Sequence, residues 1–94
     1  MSPASLELAP RLDLRAVGHL QREILANRGA DLALDAAKVD HLGALALQVI
    51  RATAQTWNED DHTMALENVS HDLADQLALL GFTAETVTSW GPAR

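Results

Sequence analysis

The order of hydrophobic and polar positions divides the chain into alternating strands and helices. Residues 5–9 alternate apolar and polar side chains, which is typical of a short half-buried strand. A helix follows, because apolar side chains recur at helical spacing after Asp13, an N-cap residue type, and Gly29 suits the left-handed turn that closes it. Residues 31–35 are mostly apolar between two carboxylates, a length that favours a buried strand. The first unit is therefore strand, helix and strand.

The second half of the chain repeats this pattern. Residues 44–57 are apolar almost all round except for one polar stripe, which predicts a largely buried helix. An acidic turn over residues 58–61 leads to a third strand over residues 63–67. The last clear helix begins after Ser70, an N-cap residue type, and ends at Gly81.

Strands that alternate with helices of this length indicate βαβ units joined by right-handed crossovers. We therefore predict an α/β fold with a small, mostly parallel sheet of about four strands and three to four helices. Residues 1–94 make one domain, since a chain this short has no room for two cores. Its core spans about residues 5–85. Residues 86–94 form a tail, in which residues 86–88 are either a final edge strand or extended chain.

Composition and charge exclude several functional classes. Seven Lys and Arg against 13 Asp and Glu give a net charge of -6, and no basic stripe exists to follow a nucleic-acid backbone. The absence of cysteine excludes thiol catalysis, disulfides and thiolate metal sites. The N-terminus lacks the features of a signal peptide, and no apolar stretch approaches the roughly 18 to 20 residues that span a bilayer. We therefore predict a cytoplasmic protein that binds no nucleic acid, does not insert directly into a membrane and acts through partners.

The candidate site residues fall at the carboxyl ends of the predicted strands and the amino ends of the helices, where parallel sheets place their sites. They are Asp35, Asp40, His41, Gly43, Ala44, Glu67, Asn68, Ser70, His71 and Asp72. His41, His71 and the nearby carboxylates are chemically able to bind zinc, but their spacing matches no metal motif. Ser70 has no Gly-x-Ser-x-Gly elbow, and the singly scattered glycines form no phosphate loop. We therefore predict no catalytic residue, cofactor or metal. A small metal- or ligand-binding enzyme that uses His41 and His71 is the alternative of another class.

Residues 31–50 read Asp-Leu-Ala-Leu-Asp-Ala-Ala-Lys-Val-Asp-His-Leu-Gly-Ala-Leu-Ala-Leu-Gln-Val-Ile. Together with residues 12–14 before the first helix, residues 66–70 at the third strand and residues 79–82 at the last helix exit, this segment resembles the signature of STAS domains, the anti-sigma factor antagonist-like family. The similarity covers about residues 5–85. Its Ala-Leu-Gln-Val-Ile ending is most similar to the short STAS proteins associated with bacterial chemotaxis.

The resemblance implies a STAS-like fold and a non-catalytic protein–protein interaction module in bacterial chemotaxis or sigma-factor signalling. The partner it implies is a signalling histidine kinase, an anti-sigma factor or a related ATPase-fold protein. The family's phospho-acceptor segment, Asp-Ser-Ser or Asp-Thr-Ala, corresponds to residues 43–45, which contain no hydroxyl group. We therefore expect the docking surface without the phosphorylation switch. The predicted partner-binding residues are Asp40, His41, Gly43, Ala44, Leu45, Gln48, Asn68, Ser70 and His71.

The resemblance leaves a second role open, that of a STAS accessory subunit of an ABC-type lipid transporter, which also needs no phosphate. The family's first hairpin is shortened here to residues 5–8. A short first strand leaves an exposed sheet edge, which favours pairing with a partner or with a second copy as a homodimer.

Overall fold

Strands and helices alternate along residues 4–89, the part of the chain that the computed structural model describes. The strands are β1 (Ala4–Glu7), β2 (Arg11–Leu12), β3 (Leu32–Asp35), β4 (His41–Leu42) and β5 (Met64–Glu67). The helices are α1 (Val17–Leu25), α2 (Ala44–Glu59) and α3 (His71–Leu79), with 3₁₀ turns at Leu14–Ala16 and Thr86–Thr88. The predicted α/β fold class is confirmed.

The strands form two small parallel sheets. The main sheet has the order β1-β3-β5, so that β3 lies in its centre, and β2 pairs with β4 in a second sheet. Leu6, Leu34 and Leu66 lie side by side across the main sheet, on the face that carries the core. The predicted small, mostly parallel sheet is thus present, but its strands are divided between a three-stranded sheet and a short two-stranded one.

α2 supplies the largest part of the helical core. Its buried side chains are Ala46, Leu47, Ile50, Thr53, Ala54 and Trp57. The Thr53 hydroxyl donates to the carbonyl groups of Val49 and Ile50, at 2.9 and 3.1 Å, so this buried polar group is satisfied. The indole Nε1 of Trp57 donates to the carbonyl oxygen of Ala30 at 2.8 Å. The helix begins where it was predicted and extends two residues further, to Glu59.

Ser70 and Gly81 bound α3 as predicted, whereas α1 begins only at Val17, after a 3₁₀ turn, and ends at Leu25, four residues before Gly29. Ser70 Oγ accepts a hydrogen bond from the amide of Leu73 at 3.1 Å and caps α3. Asp13 caps the first 3₁₀ turn, which precedes α1. Gly29 and Gly81 have φ angles of 102° and 91°, the left-handed conformation that favours glycine after a helix.

The prediction of a strand or extended chain at residues 86–88 is wrong. These residues form a 3₁₀ turn in which Val87 is fully buried. The Arg51 guanidinium holds the turn in place, because its Nη1 donates to the carbonyl oxygens of Thr86, Val87 and Ser89 at 3.1, 3.2 and 2.8 Å. The same guanidinium lies 5.0 Å from the centre of the Phe82 ring. The predicted tail beyond Ser89, residues 90–94, lies outside the described residues.

Candidate functional site

A groove lies where the amino end of α2 meets the chain that follows β2. It has a volume of about 230 Å³ and is here called the α2 groove. Its lining residues are Asp13, Leu14, His41, Gly43, Ala44, Leu45 and Ala46. Leu14 is 72% exposed and Leu45 is 55% exposed. Two large apolar side chains therefore reach solvent at one concave surface, which marks a candidate interaction site.

The backbone of Gly43 brings the two sides of the α2 groove together. Its amide donates to the carbonyl oxygen of Leu12 at 2.9 Å, just before the first turn of α2. A Cβ atom on Gly43 would lie 3.1 Å from that oxygen, which is closer than an ordinary contact. Glycine at this position therefore lets the start of α2 lie against the end of β2, with Leu45 and Leu14 lining the same groove.

The loop that carries Asp40 and His41 is fixed by hydrogen bonds from two distant segments. The amides of Asp40 and His41 both donate to the carbonyl oxygen of Pro10, at 2.8 and 3.2 Å. Gln76 of α3 accepts from the amide of Leu42 through Oε1 and donates to the carbonyl oxygen of Asp40 through Nε2, both at 2.9 Å. The backbone on both sides of His41, a lining residue of the α2 groove, is therefore held by hydrogen bonds.

Four of the predicted partner-binding residues line the α2 groove. They are His41, Gly43, Ala44 and Leu45. Asp40 precedes this set in the chain, Gln48 lies one turn further along α2, and both are exposed. Sequence reasoning missed the contribution of Asp13 and Leu14. The sequence pattern counted Leu14 among the apolar positions of the first helix, whereas the structure exposes it at the groove.

The other three predicted residues lie at the β5–α3 connection and do not line the α2 groove. Asn68 has a φ angle of 58°, and its Nδ2 donates to Asp35 Oδ1 at 3.0 Å. Ser70 is occupied as the cap of α3. His71 is exposed and is the first residue of that helix. The predicted site is thus divided into a groove and a separate polar connection.

Asp13 contributes a carboxylate to the lining of the α2 groove. Asp40 is exposed on the adjoining loop, while Arg11 Nε lies 3.9 Å from Asp13 Oδ2. His41 lines the groove and His71 lies on α3. Within residues 4–89, no three His, Asp or Glu side chains are grouped so that they could hold a metal ion together.

Comparison with known proteins adds no family assignment. No protein-family model and no curated protein matches the chain. Among the helices that the structure describes, none is both long enough and apolar enough to cross a membrane.

Proposed function

We propose that this chain is a non-catalytic protein–protein interaction module of the STAS type, which binds a protein partner at the α2 groove. The observation that carries the proposal is the joint exposure of Leu14 and Leu45 at this groove. Apolar side chains grouped in this way gain free energy when a partner removes them from water. A buried apolar anchor at the centre of an interface commonly supplies most of the binding free energy.

The sequence resemblance supports the same surface. The segment that is similar to the STAS signature, residues 31–50, contains the loop and the first turns of α2. Ala44 stands in the family's phospho-acceptor segment and is exposed at the groove. Since residues 43–45 carry no hydroxyl group, phosphate cannot be added there. Partner binding is therefore independent of phosphorylation at this segment.

The partner that fits has an apolar anchor surrounded by basic residues. Asp13 lines the groove together with the two leucines, and the whole chain has a net charge of -6. Opposite charge at the rim of an interface speeds association and orients the partner. Among bacterial cytoplasmic proteins, we propose a signalling histidine kinase, an anti-sigma factor or a related ATPase-fold protein of a chemotaxis or sigma-factor pathway.

The variant Ala44→Glu tests the docking surface. A carboxylate at this exposed position would have to be desolvated under a bound partner, so we expect the dissociation constant to rise at least about tenfold. The same carboxylate lies in the first turn of α2, where the helix dipole favours negative charge. The free energy of unfolding should therefore stay within about 0.5 kcal/mol of the native value. Calorimetric titration with the purified kinase or anti-sigma factor measures the first quantity, and urea denaturation measures the second.

Gln55→Glu is the matched control, because it introduces the same charge at an exposed position of the same helix, away from the α2 groove. This control should bind the partner as the native chain does. Equal affinity of Ala44→Glu and the native chain contradicts the proposal. If a transporter ATPase binds at the same groove, the chain is still an interaction module, but it acts in lipid transport and not in chemotaxis or sigma-factor signalling. Zinc-dependent stabilisation would instead favour the enzyme that uses His41 and His71.

A further inference from the structure

Within residues 4–89, no strand pairs with the outer edge of β1. In the order β1-β3-β5 it lies at the end of the sheet, and the described residues place no strand beyond it. The amide of Ala4 donates to the carbonyl oxygen of Asp31, just before β3, and that of Leu8 to the carbonyl oxygen of Asp35 in β3, at 2.9 Å each, so the even-numbered residues direct their backbone groups inwards. Ser5 and Glu7 therefore direct their N–H and C=O groups outwards, and both residues are exposed. Such an edge is a template for another strand.

We propose that a second copy of this chain pairs with this edge, antiparallel to β1, about a two-fold axis at Leu6. In this register Ser5 lies opposite Glu7 of the second copy, and Glu7 lies opposite Ser5 of the second copy. Each of these two residue pairs exchanges two N–H···O bonds in an antiparallel ladder. The backbone of β1 already directs the required groups outwards, so the pairing needs no rearrangement of the strand. The two main sheets become one continuous sheet.

Charge and backbone chemistry select this register over its neighbours. A slide by two residues in one direction places Glu7 opposite Glu7 of the second copy, and like charges directly opposite each other destabilise a ladder. A slide in the other direction leaves Ser5 opposite Ser5 as the single outward-facing pair within β1, and so loses two of the four backbone hydrogen bonds. In the proposed register Glu7 faces a neutral serine and keeps its ion pair with Lys38, whose Nζ lies 3.2 Å from Glu7 Oε1.

The side chains also agree with a two-fold axis at Leu6. Leu6 is half-buried and packs against the core. Opposite residues at a non-hydrogen-bonded position bring their Cβ atoms to about 4.5–5.5 Å, so the two Leu6 side chains would cover each other on the helix-covered face. Ser5 and Glu7 stay on the opposite face, in water. In this dimer the apolar Leu6 side chains meet each other, and the polar Ser5 meets the polar Glu7. This agreement favours a second copy over an unrelated strand.

Sedimentation equilibrium from about 1 µM to about 1 mM tests the pairing. We expect the mass to rise from 10.1 kDa towards twice that value. Ser5→Pro removes an N–H group that faces solvent in the monomer, so the fold tolerates it, while the dissociation constant of the dimer should rise at least about tenfold. Ser5→Thr keeps the N–H group and should keep the dimer. A monomer at every concentration, or a dimer that Ser5→Pro does not weaken, overturns the proposal.

Disulfide trapping tests the register and does not depend on the proline variant. Because the chain has no cysteine, a single introduced thiol can pair only with its copy. Under mild oxidation Leu6→Cys should form a covalent dimer, whereas Ser5→Cys should not, since strand geometry puts the two positions about 8 Å apart, beyond disulfide reach. Linkage of Ser5→Cys without Leu6→Cys overturns the register. Ala44→Glu should leave the dimer unchanged, which separates this proposal from the α2 groove.

Discussion

At the scale of single residues, Gln76 shows how one side chain can replace part of a strand. Its amide group accepts from the amide of Leu42 and donates to the carbonyl oxygen of Asp40, as a neighbouring strand would do. Leu42 is buried and pairs with β2 as part of β4. Gln76 therefore gives hydrogen-bond partners to the two backbone groups on either side of His41, a lining residue of the α2 groove.

Gln76→Leu should lower the free energy of unfolding by about 2 kcal/mol. The substitution keeps the approximate size of the side chain but leaves the Leu42 amide without its acceptor, and an unsatisfied buried donor costs about 1–3 kcal/mol. Urea denaturation followed by circular dichroism measures the change. Gln55→Leu makes the same replacement at an exposed position of α2 and should stay within about 0.5 kcal/mol. Equal effects of the two variants would show that the amide bonds of Gln76 contribute nothing.

The residues at the α2 groove also show why sequence patterns identify some positions and miss others. Asp13 was predicted as a cap because its residue type is favoured there, and the structure confirms that local role. Leu14 and Leu45 have the same residue type as the core leucines, yet both are exposed. Residue type alone cannot distinguish an exposed apolar anchor from a core position, since the burial of a leucine depends on which other elements pack against it. Gln76 was missed because its partners are 34 and 36 residues away.

At the scale of secondary-structure elements, β3 is fastened to its neighbours by a carboxylate at each end. Asp31 Oδ1 accepts from the amide of Thr63 at 2.9 Å, just before β5. Asp35 Oδ1 accepts from Asn68 Nδ2 and from the amide of Ala37, both at 3.0 Å. The Thr63 hydrogen bond holds the pKa of Asp31 below its usual value, and the Asn68 hydrogen bond, followed by that of Ala37, lowers the pKa of Asp35.

The stability of the fold should therefore fall in acid. A carboxylate whose pKa is lower in the folded chain contributes stability that is present above its ordinary pKa of 3.8 and is lost as the pH falls through the lower folded value. Asp31→Asn keeps an oxygen acceptor for Thr63 but cannot titrate, so it should reduce the loss of unfolding free energy between pH 5 and pH 2. Urea denaturation across this pH range measures it. Asp75→Asn, an exposed carboxylate on α3, is the control, and equal slopes for the two variants contradict the prediction.

The boundaries of the longer elements follow from local signals, and those of the shorter ones do not. α3 begins after Ser70 as predicted, because a capping hydroxyl and an apolar spacing lie within one turn of each other. β2 and β4 were not predicted, since two residues are too few to show an alternation. The 3₁₀ turn at residues 86–88 depends on Arg51, which lies 35 residues earlier in the chain. Its conformation is set by a tertiary contact and not by its own sequence.

At the scale of the whole molecule, the C-terminal segment completes the core. Val87 is fully buried, and its turn packs against α2 and β5. The core therefore extends two residues beyond the segment 5–85 that the sequence pattern favoured. The two proposed surfaces use different elements, since the α2 groove lies at the start of α2 and the open edge belongs to β1. A dimer formed through β1 would thus present two α2 grooves.

Val87→Ala should lower the free energy of unfolding by about 2 kcal/mol, because it removes two buried methyl groups worth about 0.8 kcal/mol each and leaves a small cavity. For a domain of this size, the melting temperature should fall by about 8–16 °C. Far-ultraviolet circular dichroism reports the helices, and the fluorescence of buried Trp57 reports the core. Both signals should change at the same temperature, since small domains unfold as one cooperative unit. Glu85→Ala, at an exposed position two residues earlier, is the control. If Val87→Ala melts as the control does, the C-terminal turn lies outside the cooperative core, and the clamp by Arg51 holds only a peripheral segment.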